Sequence, residues 1–452
     1  MIEKIKSIYM IGVGGISMSA LARFLHYRGI TVYGSDIVVN DEVRRLLQDG
    51  IIKFQKGSVH SFVRLCDAVC YTGAVASDNS DLNLAKKLNK IIVSRAQLLG
   101  ELAKDKKTIS IAGTHGKTTT TALIATTLLV NQLNPNVHIG GVLNNINSNV
   151  NISRSDLFVT EACEYKDSFL SLNSNICVVL NIKPDHLDYF KNFDYEFASF
   201  QKFVDNADKN GYIVLNNDDE YCRKLKISSK RLTFAIDSDA DVKAVNIKKV
   251  KGKISFDVLK NNCRLGRIYM SCYGYHNIYN TLATICVCLA LNMPFVKIKK
   301  GIERYKGVAR RFEILSQNRN RLLLHDYAHH PDEIRAILNL CKDLSYKKLI
   351  TIFQPHTYSR TRVLYDEFLS CFDGSDETWL LPIYPAREKP IKGVTSYKLR
   401  MDLAKRGKKA KYFNNFQKCY EEIVKNNDKS VIFAILGAGD IVEIANMFKK
   451  SN

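Results

Sequence analysis

Several features that would place a chain of 452 residues in a class at once are missing from this one. No apolar run approaches the ~18 residues that a membrane-spanning helix needs, so a helical membrane protein is excluded. Twelve cysteines occur, but none stands in a C-x-x-C pair. A disulfide framework or zinc ribbon is therefore not indicated, and the thiols read as buried apolar groups in a reducing cytoplasm. There are no internal repeats of solenoid length and no low-complexity tract, which removes repeat arrays and disordered tails. Acidic residues are in deficit: 45 Asp and Glu face 66 Lys and Arg, for a net charge of +21. The excess is scattered, as in "KKVKGK" and "AKRGKKAKY", and no basic motif is interleaved with aromatics as in a single-strand or RNA-binding module. It reads as solvated lysine faces, with small polyanionic substrates as a second contributor, and nucleic acid is not an expected partner. The opening "MIEKIKSIYMIGVGGISMSA" mixes charges before a glycine-rich turn, the pattern of a first strand and not of a signal peptide.

What is present is apolar mass for several cores, 46% hydrophobic against 25% charged residues, arranged as α/β units in series. The first, 1–107, opens with the strand "IYMIG", a turn through Gly12, Gly14 and Gly15, an amphipathic helix, and the strand "ITVYGSD" ending at Asp36. This is the first βαβ of a Rossmann-like sheet. The second, 108–313, starts at "TISIAG", continues through "LFVTEAC", "ICVVLNI" and "GYIVLN", and carries an alternating stretch, "VKAVNIKKVKGKISFDVLKN", that predicts a small antiparallel annex. After "RYKGVARRFEIL", which reads as a hinge, the third unit, 314–452, alternates strand and helix again. The expected fold is α/β in three domains, the outer two Rossmann-like and the central one an ATPase sheet with a phosphate loop.

That loop is "SIAGTHGKTTTTALI". The common spacing G-x-x-x-x-G-K-[ST] would put glycine at 111, where this chain has Ile111, so the junction is a shortened form. Lys117 and Thr118 give it chemical meaning. Backbone N–H groups from Gly113 to Lys117 at a helix start form an anion pocket, the lysine reaches the β/γ-phosphates, and the hydroxyl beside it can ligate Mg²⁺. Acids at nearby strand ends extend the pattern: Glu161 and Glu164 in "DLFVTEACE", then Asp185 and His186 after "VVLNI". A hydroxyl, a carboxylate and an imidazole at three strand ends of one sheet, completed by phosphate and water, can make an octahedral cation site.

The chain as a whole resembles the Mur ligases of peptidoglycan synthesis. The resemblance rests on "GVGGISMSALA", "AGTHGKTTTT", "TEACEY", "NIKPDHLDYF", "YGYHNIYN", "GVARRFE", "HDYAHHPDE", "FQPHTYSRTR", "PIYPAREKPIKGV" and "LGAGDI", and covers all three units in order. The third-unit motifs are closest to the alanine-adding branch. The resemblance implies a cytoplasmic ligase of cell-wall synthesis, hence of cell shape and division, monomeric or weakly dimeric, with UDP-N-acetylmuramate, L-alanine and ATP as substrates and Mg²⁺ as cofactor. It implies that Gly113, Thr114, His115, Gly116, Lys117, Thr118 and Thr119 hold the ATP phosphates, and that Thr118, Glu161 and His186 hold magnesium. His276, Asn277, Asn280 and Arg311 fall on the nucleotide side; Gly12, Gly14, Gly15, Ser17 and Asp36 meet the UDP-sugar. Tyr327, His329 and Arg360 orient alanine and the reacting carboxylate, and Lys117, His186, His329 and Arg360 carry the chemistry.

This sequence departs from the family pattern in places. Thr357 stands where many members have arginine, which shifts the expected carboxylate contact to Arg360. The modified lysine of related ligases falls near Gln201, with Lys202 one residue away, and Asn79-Ser80-Asp81 replaces the usual first-unit motif. Rival readings account for less of the chain. A nicotinamide dehydrogenase would use "GVGGIS" and Asp36, but Ser17 replaces the third glycine and the phosphate loop is left unexplained. A tripeptide-recycling ligase acting on the same UDP-sugar shares nearly every motif. A polyglutamate ligase lacks "DYAHHP" and "QPHTYSRTR".

Overall fold

The fold was analysed in a computed structural model that describes residues 2–185, 187–250, 252–344, 346–386, 388–426 and 428–451. It contains three sheets. The first joins β1 (Ser7–Ile11), β2 (Thr31–Asp36), β3 (Ile52–Lys56), β4 (Ala68–Tyr71) and β5 (Ile91–Ser94) in the order β3-β2-β1-β4-β5. The pairings are all parallel. Strand order reverses beside β1, so a crevice opens where the glycine-rich turn leaves that strand, the usual place for a ligand in an open α/β sheet. The helix Ile16–Tyr27 that follows buries Met18, Leu21, Ala22 and Leu25, the apolar positions its periodicity predicts.

Ten strands make the second sheet. They are β6 (Lys107–Ala112), β7 (Asn136–Leu143), β8 (Ser148–Asn151), β9 (Leu157–Glu161), β10 (Ile176–Val179), β11 (Tyr212–Asn216), β12 (Lys230–Ala235), β13 (Val242–Val250), β14 (Lys253–Lys260) and β15 (Cys263–Tyr273). The order is β15-β14-β13-β12-β11-β10-β6-β9-β7-β8. The expected annex is thus a continuation of this sheet, β13 pairing parallel with β12. Central β6 is buried along its length after Lys107 and delivers the phosphate loop to the middle of the sheet. The helix Lys117–Val130 behind it is buried almost all round, which explains why its sequence is small and apolar with little amphipathic pattern. Gly301 allows a neighbouring helix to close on it, since a Cβ there would lie 2.5 Å from Thr127 Cα.

The third sheet runs β16 (Glu313–Gln317), β17 (Arg321–Asp326), β21 (Val431–Leu436), β18 (Lys348–Phe353), β19 (Glu377–Leu380) and β20 (Ala410–Tyr412). Only β16 is antiparallel to its neighbour. Its two faces carry separate apolar cores, one around Leu322, Leu324 and Phe353, the other around Trp379, Phe433 and Ile435. The chain forms two compact units: residues 1–248 with 255–307, holding the first sheet and all of the second but the tips of β13 and β14, and 249–254 with 308–452, holding those tips and the third sheet. No helix among the described residues is long and apolar enough to cross a membrane.

Candidate active site

In the second sheet, the shortened loop is shaped by two glycines. Gly113 has φ +133° and Gly116, the residue before the helix, has φ +90°, both in the region that side-chain-bearing residues avoid. A Cβ on Gly116 would also meet Asn280 Oδ1 at 2.5 Å. The loop is strapped to the end of β10. Thr114 N–H donates to the Asn181 carbonyl (3.1 Å) and His115 N–H to Asn181 Oδ1 (2.9 Å). Asn181 Nδ2 returns a bond to the His115 carbonyl (3.0 Å), and Thr114 Oγ1 pairs with both backbone groups of Lys183.

Lys117 turns back over this frame. Its ammonium donates to the Gly113 and Thr114 carbonyls and, at 2.9 Å, to Glu164 Oε1. Glu164 is fully buried, so this pair is a cation held over the loop by the loop's own carbonyls and one buried carboxylate. Glu161 ends β9 in register with Ile111 of β6, and its Oε1 accepts from Gly140 N–H at 2.7 Å. Thr118 lies in the first turn of the helix Lys117–Val130 and is partly exposed, as is Thr119. His186, the imidazole expected with them, lies outside the described residues. Glu196, from the helix Phe193–Asp205, joins the site from behind. Its Oε2 accepts from Asp185 N–H at 3.1 Å. Burial, assisted by the Asp185 and Glu164 carboxylates, pushes its carboxyl up to about 7.

Of the residues expected on the nucleotide side, Asn277 and Asn280 lie buried at the start of the helix His276–Ala290. They are linked by Asn280 Nδ2 to Asn277 Oδ1 at 2.7 Å, while His276 is exposed. Asp218 extends this corner. It accepts the Ile236, Asp237 and Ser238 amides and the Tyr279 hydroxyl. Burial would raise its pKa, but the amides outweigh it and hold the carboxylate below its usual range.

In the first sheet, Gly12 has φ +82° and donates to the Ser35 carbonyl. The Asp36 carboxylate accepts from Gly14 N–H at 3.0 Å and from the Ile37 and Val38 amides. Asp36 therefore braces the glycine loop. Gly15 precedes the helix that begins at Ile16, and Ser17 points toward the second sheet, where its Oγ meets His138 Nε2 at 2.8 Å. Burial, with the Arg95 charge nearby, pushes His138 down to about 3, so it is neutral.

The other compact unit carries the remaining residues. Tyr327, Ala328 and His329 follow β17, the residues 354–357 follow β18, and 437–440 follow β21, three adjacent strand ends of one sheet. His329 Nδ1–H donates to the Tyr327 carbonyl (3.0 Å), and the Glu333 carboxylate accepts the His329 and His330 amides. Arg360 Nη1 donates to His356 Nδ1 at 3.3 Å, and the His329 and His356 rings lie 5.6 Å apart. Burial lowers both imidazoles, that of His356 to about 4, so both are neutral near pH 7. The Arg310 and Arg311 guanidiniums cover the Tyr327 ring at 4.7 and 5.4 Å. Arg311, expected on the nucleotide side, lies in this compact unit against Tyr327. Three arginines beside two neutral imidazoles suit a carboxylate ligand and a proton acceptor. Thr357 sits at φ 68° and caps the next helix through Oγ1 to Arg360 N–H (3.4 Å).

Sequence reasoning did not single out Arg95, His138, Glu196, Asp218 or His356 as site residues. Only His356 stood in a quoted motif, and the others carry no local signal.

Three profiles match the chain in order: the Mur ligase family catalytic domain over 7–107, the Mur ligase middle domain over 111–288, and the Mur ligase glutamate ligase domain over 310–439. UDP-N-acetylmuramate–L-alanine ligase of Clostridium botulinum is 41% identical over 450 residues, 99% of this chain and 98% of the relative. Among solved structures, UDP-N-acetylmuramate-alanine ligase of Thermotoga maritima superposes with a TM-score of 0.84 at 27% identity, covering 99% of both chains. A murein peptide ligase of Psychrobacter arcticus gives a TM-score of 0.72 at 20% identity over 99% of this chain and 98% of its own, a likeness of fold. With all three domain profiles in sequence and a relative aligned end to end, the chain belongs to the Mur ligase family.

Proposed function

We propose that this ligase joins L-alanine to the lactyl carboxylate of UDP-N-acetylmuramate with conversion of ATP to ADP and phosphate, the work being divided among domains at 1–107, 108–313 and 314–452. The observation that carries the reading is the 41% identity to an alanine ligase over 99% of the chain, in a protein that keeps both chemical parts such a reaction needs.

A carboxylate is a poor electrophile and must be activated. One carboxylate oxygen attacks the γ-phosphorus of ATP, ADP leaves, and an acyl phosphate forms. Lys117 would exchange the Gly113 and Thr114 carbonyls for phosphate oxygens while Glu164 keeps it aimed. The amine of alanine then attacks the acyl carbon, and phosphate departs to leave the amide. That amine must be uncharged. Neutral His329, its Nδ1–H fixed on the Tyr327 carbonyl, has Nε2 available to take the ammonium proton, and Arg360 provides a fork for the alanine carboxylate. In the first domain, Gly12, Gly14, Gly15 and Ser17 offer the pyrophosphate of the UDP-sugar a helix start.

The donor set fits magnesium. Thr118 and Glu161 supply hard oxygens, and the missing side chain at Gly140 leaves a cradle for the Glu161 carboxylate, where a Cβ would lie 3.0 Å from Oε2. Thr118, Glu161 and His186 would hold the ion, which when bound neutralises phosphate charge. The test is phosphate release with UDP-N-acetylmuramate, ATP and single amino acids or a tripeptide, with the product weighed by mass spectrometry. Alanine alone should give fast turnover. Preference for the tripeptide, or no product from any of them, would overturn the reading.

A further inference from the structure

The edge of the second sheet grips the start of the first sheet's glycine-loop helix. His138, in β7, is 3% exposed, and both its ring nitrogens are engaged, Nε2 with Ser17 Oγ at 2.8 Å and Nδ1 with Thr160 Oγ1 at 3.0 Å. One strand further out, Asn149 Nδ2 donates to the Ile16 carbonyl at 2.6 Å. The directions of the bonds follow from the Glu161 end and from the single N–H of the neutral His138 ring. Arg95 Nη1 can only donate, and does so to Ser17 Oγ at 3.2 Å; the Glu161 carbonyl can only accept, and does so from Thr160 Oγ1 at 3.1 Å. The hydrogens between them therefore run one way: Arg95 to Ser17, Ser17 to His138 Nε2, His138 Nδ1–H to Thr160, Thr160 to Glu161. Two residues along the same strand, Gly140 N–H holds the Glu161 carboxylate at 2.7 Å. One strand thus touches the glycine loop at one point and the carboxylate of the phosphate site at another.

Of the three side chains Ser17, His138 and Thr160, Ser17 alone is partly exposed, and its single hydrogen cannot serve both His138 and a ligand phosphate. A phosphate oxygen that takes the hydrogen leaves His138 Nε2 without its donor, in a buried place where an unmade bond is costly. The ring must then re-pair, and Thr160 and Glu161 lie at the other end of that adjustment. An apolar strand residue would fill the same space without joining the two sites.

We propose that His138 is a positioning residue that couples the UDP-sugar loop to the nucleotide site, so that each ligand changes the affinity for the other. This rests on the substrate assignment above. The test is calorimetric titration of the full chain with a non-hydrolysable ATP analogue and Mg²⁺, with and without saturating UDP-N-acetylmuramate. The unaltered enzyme should show at least about a fivefold difference between the two dissociation constants. His138→Phe should bring that ratio below about twofold, with the analogue's affinity in the absence of sugar changed by less than about twofold; His138→Gln, which restores a partner for Ser17, should recover part of the ratio. Ser17→Ala removes the other end of the relay and should also flatten the ratio, a check that stands if His138→Phe fails to fold. Loss of thermal stability with an unchanged ratio in these variants would make His138 a packing residue and overturn the proposal, as would the absence of any ratio in the unaltered enzyme. If the unaltered enzyme does not bind UDP-N-acetylmuramate at all, the substrate assignment has failed instead, and the two failures are told apart by that first titration.

Discussion

Glu196 makes a pH prediction with a definite sign. The side chain is fully buried, Oε2 accepts one amide, and Oε1 has no hydrogen-bond partner among the described residues. A carboxylate in that position is poorly solvated and faces Asp185 and Glu164, so its pKa stands at about 7 against an ordinary 4.5. Between those values the unfolded chain has released the proton that the folded chain still holds. The unfolded state binds fewer protons, so unfolding free energy falls as pH rises. The contribution is fully present below about pH 4.5 and is lost through pH 7. At 1.36 kcal/mol per unit the raised pKa corresponds to about 3 kcal/mol. Glu196→Gln keeps the shape and cannot ionise. Relative to the variant, the natural protein should lose about 2–3 kcal/mol of stability between pH 4.5 and 8. Urea unfolding followed by far-ultraviolet circular dichroism, with amide exchange of the helix Phe193–Asp205, measures this. Fluorescence of Trp379, the single tryptophan, reports on the third sheet and serves as a control that should not change. Parallel stability curves for the two proteins over that pH range would refute the argument.

Lys117→Ala should abolish ligation while leaving UDP-sugar affinity within about threefold by calorimetry. It also takes the Lys117 ammonium away from buried Glu164 at a cost of about 3–5 kcal/mol, which the added change Glu164→Gln should largely restore in a melting experiment. Sugar binding lost in step with nucleotide binding would refute the separate placement of the two loops. Glu161→Gln should raise the magnesium needed for half-maximal phosphate release by about tenfold or more without lowering the melting temperature; full activity across the titration would remove Glu161 from the metal site. Gly116→Ala must hold φ +90° and fit a Cβ 2.5 Å from Asn280 Oδ1. It should cost about 1–3 kcal/mol locally and weaken ATP-analogue binding at least tenfold, and an unchanged dissociation constant would show that the loop can relax.

The elements that the sequence predicts well are those whose cause is local. β1, β6 and the loop Gly113–Lys117 each depend on neighbours within a few residues: an apolar run, two glycines at left-handed positions, a lysine one place into a helix. The alternation in 242–260 is local too, and its strands exist. What alternation cannot say is which edge receives them, and these strands join the central sheet through β12.

Partners from distant segments are of another kind. A hydrogen bond needs two ends, and a sequence shows one end at a time. Asn181 straps a loop 66 residues away, Tyr9 reaches Asp81 across 72, and His138 reaches Ser17 across 121. In "NVHIGGVL" the histidine reads as an ordinary strand residue, since nothing within ten places tells a buried acceptor from an exposed one. Burial makes the difference: at 3% exposure a ring with two polar nitrogens must find two partners or lose stability. Deep polar residues are therefore the places where topology assigns roles that composition and spacing cannot. The same reasoning applies to Glu196, whose carboxyl would titrate normally on a surface helix and does not here because the chain folds it behind Asp185 and Glu164.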